Sequence, residues 1–126
     1  MLSTYSFCTA ALIALAVFVI GSFYLVAPER IAGSFGLRAP APDADTRAWL
    51  RLKGIRDVAS GLVVLLLLTV MNKHAVGMVL IVYAIIPFGD MAIILASGGS
   101  KSKAFSVHGA TCAVMLAVGL LLMHAV

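Results

Sequence analysis

Arg56, Asp57, Asp90 and His108 are the residues of this chain best suited to do chemistry, because each stands inside or at the edge of a long apolar run. Two carboxylates can divide acid and base work when their surroundings separate a protonated member from an ionised one. An arginine fork can orient both, and an imidazole can bind substrate or shuttle a proton. An ionised side chain near the centre of a membrane helix costs about 2.5–3.5 kcal/mol. Three helices carrying such groups without compensation would cost on the order of 10 kcal/mol. Groups this expensive usually pair inside a bundle, and they often mark a working site.

The bland alternative is a register lock. Arg56 and Asp90 alone would fix helix packing, with Asp57 at the interface and His108 on a backbone carbonyl. Two acids, one arginine and one histidine exceed that need, so the catalytic candidates are Asp57, Asp90, Arg56 and His108. Tyr24, Glu29, Trp49, Ser60 and Tyr83 are the candidate substrate-binding groups around them. One histidine and two aspartates could hold a metal, but the adjacent Arg56 opposes it. Cys8 and Cys112 form no C-x-x-C motif, and their depths differ by roughly 10 Å at helical rise, too far for a disulfide. No metal or cofactor is expected.

The elements that must position these groups are membrane helices. The chain is 63% hydrophobic and 11% charged, with a mean hydropathy of +1.13, whereas a soluble domain carries roughly 25% charged residues. Four apolar segments can be marked at residues 3–27, 46–71, 75–97 and 104–126. Each approaches the ~20 residues that cross the hydrocarbon as a helix, and continuous apolar runs exclude the alternation of a barrel. The first segment lacks the basic start of a signal peptide and has too long an apolar stretch. The expected fold is therefore an all-α membrane protein: one domain, residues 1–126, built as a four-transmembrane-helix bundle. Glu29 to Leu37 can add a short interfacial helix between the first two segments. Asp45-Thr46 is the expected N-cap of the second, and Trp49 suits the interfacial aromatic belt.

Charge sets the expected orientation. Arg30, Arg38, Arg47, Arg51, Lys53, Arg56, Lys101 and Lys103 lie in or beside the first and third connections, and only Lys73 lies at the other side. Eight against one is a strong positive-inside bias. It places those connections in the cytoplasm of a plasma (inner) membrane and both termini outside. A net charge of +4 without a basic stripe and interleaved aromatics gives no nucleic-acid footprint, while a basic rim suits anionic lipid headgroups. In this topology Arg56, Asp57, Asp90 and His108 converge in the cytoplasmic half, with at least one Arg56–carboxylate contact. The outer half is apolar, so a pocket is expected and not a pore. Gly54 and Gly61 allow close helix approach. Pro87 frees the Tyr83 carbonyl and kinks the third helix.

Ala27-Pro28-Glu29, Gly54-Ile55-Arg56-Asp57, Gly89-Asp90 and His108-Gly109 give the chain a likeness to a known group. It resembles the small bacterial and fungal four-helix membrane proteins grouped as a domain of unknown function. Some fungal relatives sit among natural-product genes, so the resemblance implies small-molecule enzymology. Small multidrug transporters have similar length but use an acid in their first helix, which this chain lacks.

Three functions follow as expectations. The first is an acid–base enzyme on a lipophilic small molecule, of epoxide hydrolase, isomerase or cyclase type. Its Asp-Arg-Asp constellation is similar to that of small epoxide hydrolases. The second is an oligomeric proton-coupled transporter. The third is a structural protein whose polar cluster only fixes packing. Expected partners are a lipophilic small molecule, membrane lipids and a possible second copy of the chain, with no nucleic acid.

Overall fold

The computed structural model describes residues 1–70 and 72–124, and for Leu2 the backbone alone. The predicted ends of the second and fourth segments, Met71 and Val126, lie outside the described residues. Among the described residues the fold is helical throughout, with no strand. Helix α1 (Leu2–Val26) is uncharged and roughly 37 Å long at 1.5 Å per residue. Pro28 has no N–H to continue it, so a new short helix, α2 (Pro28–Ala32), starts with proline in its first turn.

Helix α3 (Ala44–Thr69) begins two residues earlier than the sequence suggests, because Asp43 and not Asp45 is its cap. The Thr46 amide donates to Asp43 Oδ1 at 2.8 Å, and the Thr46 hydroxyl donates to Oδ2 at 2.7 Å. Asn72 caps α4 (Lys73–Tyr83) by accepting from the Ala75 amide. The expected irregularity at Pro87 appears one turn before the proline: α4 ends at Tyr83, Ala84 links, and α5 (Ile85–Ala96) resumes. The third connection is shorter than expected. Ser100 caps a single turn, α6 (Lys101–Lys103), which runs through a π-helical segment (Ala104–Gly109) into α7 (Ala110–His124).

Three helical runs, Ser3–Val26, Lys73–Ala96 and Lys101–His124, are long and apolar enough to cross a membrane. Helix α3 matches them in length but carries Asp45, Arg47, Arg51, Lys53 and Arg56 in its first half and Asp57 just beyond. Leu12, Leu15, Val82, Ile85, Phe88 and Leu120 are exposed on the outer faces of the other runs, a surface suited to lipid and not to water.

Small residues bring the helices together. Helix α1 lies antiparallel against α3, and a Cβ at Gly61 would stand 2.7 Å from the Ala14 carbonyl oxygen. Helices α4 and α7 meet the same way, with a Cβ at Gly77 only 2.6 Å from the Gly119 oxygen. Lipid tails are as apolar as leucine, so association here depends on such close van der Waals approach. The dry core, including Ala10, Val64, Leu68, Val76, Leu80 and Leu122, fills the end remote from the first and third connections. Apart from Lys73, the charged side chains collect at the other end.

Candidate functional site

A cavity of about 220 Å³ runs between α1, α3, the α4–α5 junction and the π segment. Ile13, Val17, Val64, Leu80 and Met115 line its apolar part. Tyr24, Lys53, Asp57, Asp90 and His108 line its polar part. It exceeds the ~150 Å³ cavity that holds benzene, so it takes a ligand of about ten non-hydrogen atoms.

Asp57, Asp90 and His108 thus face one cavity, as their spacing suggests. Arg56 does not join them: it is exposed, lies outside the lining and forms no ion pair with Asp57 or Asp90. The expected Arg56–carboxylate contact is absent among the described residues. The reason is helical phase. Lys53, Asp57, Ser60 and Val64 recur at the three- and four-residue spacing of one face, and Arg56 falls on its flank. Lys53, which the sequence reading left in the basic rim, takes the cationic place instead and forms an ion pair with Asp57 Oδ2. Its ammonium lies 4.7 Å from the centre of the Tyr24 ring and 5.2 Å from that of Phe35, within cation–π range. An i,i+4 spacing between Lys53 and Asp57 was the available signal.

His108 is held from two sides. Its Nε2 lies 3.0 Å from the Phe35 carbonyl oxygen, which can only accept, so Nε2 carries a proton. Its Nδ1 lies 3.5 Å from Asp90 Oδ2. A bare ring nitrogen and a carboxylate would present lone pairs to each other there. A proton placed between the two atoms would join them as an acid–base dyad. The Phe35 ring packs on the imidazole at 4.5 Å between centroids.

The π segment explains how one face reaches Phe35. Residues five apart stand roughly 140° apart around an α-helix, but a π turn hydrogen-bonds i to i+5 and brings them nearly into line. Lys103 and His108 are five apart. Lys103 Nζ donates to the Gly33 carbonyl at 3.2 Å while His108 donates to that of Phe35. Gly36, at φ 117°, turns the loop so that its carbonyl accepts from the Ser100 amide at 2.8 Å. Residues 33–36 so cover the polar end of the cavity. Nothing in the residue pattern signals the π segment or the role of Phe35.

The remaining expected residues divide. Tyr24 is buried against the cavity, and Tyr83 and Ser60 line it, although the Ser60 hydroxyl donates to the Arg56 carbonyl. Trp49 is exposed and outside the lining. Glu29 is also outside, paired with Arg47. Its carboxyl is held below the usual range first by that hydrogen bond, with the Arg47 and Arg51 charges adding to it. Cys8 and Cys112 are free thiols.

The family comparison agrees with the motif-based resemblance. The model of the family described as Domain of unknown function (DUF4267) matches residues 14–122, so the chain belongs to that family. No curated protein and no solved structure matches it.

Proposed function

We propose that the chain is an acid–base enzyme acting on a lipophilic small molecule held in the cavity, with epoxide opening the reaction its groups suit best. The observation that carries this reading is the pairing of Asp57 with Lys53 and of Asp90 with His108 at the polar end of one apolar cavity; in the proposed reaction the second pair holds a proton. Lys53 engages Asp57 Oδ2, and Oδ1 can take a proton from an attacking water. As the water oxygen bonds to the ring carbon, the C–O bond breaks and its electron pair takes the dyad's proton. Return of the proton from Asp57 to the dyad resets the site, and the net change is addition of water. The same two stations can move a proton between carbons, which keeps isomerase chemistry within this proposal. Lys53 replaces Arg56 as the orienting cation, and the Tyr24 hydroxyl is placed to meet the substrate oxygen.

The membrane arrangement belongs to the same proposal. Helix α3 serves as a fourth span, since Lys53 and Asp57 neutralise each other and remove most of the penalty of two charges in hydrocarbon. The basic first and third connections face the cytoplasm of a plasma membrane, both termini lie outside, and α2 rests at the interface.

The experiment is turnover of a panel of neutral epoxides of about ten non-hydrogen atoms by the purified protein in nanodiscs. Removing a general acid or base costs about 10²–10⁴-fold, so Asp57→Asn and Asp90→Asn should each lose activity by such a factor while melting as folded proteins. Turnover unchanged in both variants would defeat the assignment.

A further inference from the structure

We infer that the ligand is an uncharged, oxygen-bearing lipophile that enters sideways from the bilayer between α1 and α5. This rests on the cavity-binding reading above and narrows it. Each charged group of the cavity already has a partner. Lys53 pairs with Asp57, Asp90 stands 3.5 Å from His108, and the other titratable lining groups are the phenols Tyr24 and Tyr83. A carboxylate or ammonium ligand would find no free countercharge there, and an unpaired charge away from water is strongly disfavoured. An alcohol, epoxide or carbonyl oxygen can instead accept from the dyad or Tyr24.

The route follows from exposure. Ile20 on α1 and Ile86 on α5 both line the cavity, yet they are 44% and 46% exposed. Helix α1 packs along α3 and α5 packs on the π segment, so these two helices are not packed on each other. The polar end is covered by residues 33–36. Entry between Ile20 and Ile86 would start from the surface that lipid would occupy, where an apolar solute is already concentrated.

The test uses three diazirine photoprobes with the same chain of about ten carbons, ending in a hydroxyl, a carboxylate or an ammonium. Labelling is read by peptide mass spectrometry at Tyr24 and Ala14, which line the cavity and are buried from outside. The alcohol should label them about a hundredfold more than either charged probe. An Ile20→Trp/Ile86→Trp variant, altered only at exposed positions, should keep its melting temperature and lose most of that labelling. Equal labelling by the charged probes overturns the neutral-ligand assignment, and labelling unchanged by the two tryptophans overturns the lateral route. Both results leave epoxide turnover standing, whereas failure of every probe to reach Tyr24 or Ala14 overturns the cavity-binding reading as well.

Discussion

A single methyl group placed at Gly54 tests whether close packing of α1 on α3 holds the site together. A Cβ there would stand 2.8 Å from the Gly21 carbonyl oxygen, 2.8 Å from the Tyr24 Cβ and 3.1 Å from the Leu25 nitrogen. Two of these neighbours are backbone and cannot rotate away, so the helices must separate by a few tenths of an ångström. Overpacking of this kind costs about 1–3 kcal/mol. Gly89→Ala is the matched control, since a Cβ there meets nothing within 4 Å. The intrinsic gain of alanine over glycine in a helix, at most about 1 kcal/mol, applies to both sites and cancels in the comparison. Gly54→Ala should therefore be less stable than Gly89→Ala by about 1–3 kcal/mol, a factor of about 5 to 140 in the folding equilibrium. Reversible unfolding in mixed micelles by SDS titration, followed by circular dichroism, gives that difference directly. Tyr24 and Lys53 straddle the contact, so the same variant should also weaken probe labelling at Tyr24. A Gly54→Ala protein as stable as Gly89→Ala would refute the packing argument.

Three further outcomes are expected. Lys53→Met strands a mostly buried Asp57 carboxylate and should destabilise by about 1–3 kcal/mol after discounting for partial exposure, whereas Arg56→Met should stay within about 0.5 kcal/mol; equal effects in the same titration would contradict the placement of these two cations. The Asp43 carboxyl is held below its ordinary value of 3.8, first by the Thr46 amide. Its contribution to stability is present above that value and fades as pH falls through the depressed one, so Asp43→Asn should flatten part of the acid limb of the melting curve, and an unaltered limb would contradict the cap. In the proposed topology, a cysteine at Ser102 in a background lacking Cys8 and Cys112 should react with a membrane-impermeant maleimide only after the cells are opened; labelling of intact cells would invert the topology.

Much of this architecture is legible in the residues, for physical reasons. Apolar runs of membrane length mark α1, the α4–α5 run and the α6–α7 run, and burial cost alone brings Asp57, Asp90 and His108 to one cavity. Arg56 reads as a site residue because the charges of α3 fall on several sides of the helix and define no inward face, and its adjacency to Asp57 suggests a pairing that the 3.6-residue phase prevents. Lys53 has the right phase, but its position near the basic end of α3 made it read as rim. Asp43 lost its place as cap to Asp45 because both precede Thr46 and differ only in backbone geometry. Phe35 contributes a carbonyl, which every residue possesses, and so leaves no trace in composition or spacing.

The π segment works as a clasp whose two prongs share one spring. Lys103 and His108 grip the same loop only while the backbone between them keeps its wider turn. Deleting Ser106 would wind this stretch back into an ordinary helix, and one prong would swing away while α7 kept its seat on α4. The loop and the proton on His108 are thereby joined. Lifting residues 33–36 would take away the Phe35 carbonyl, so the loop could not move without freeing the imidazole ring. The covering of the cavity and the seating of the His108 ring are one mechanical state.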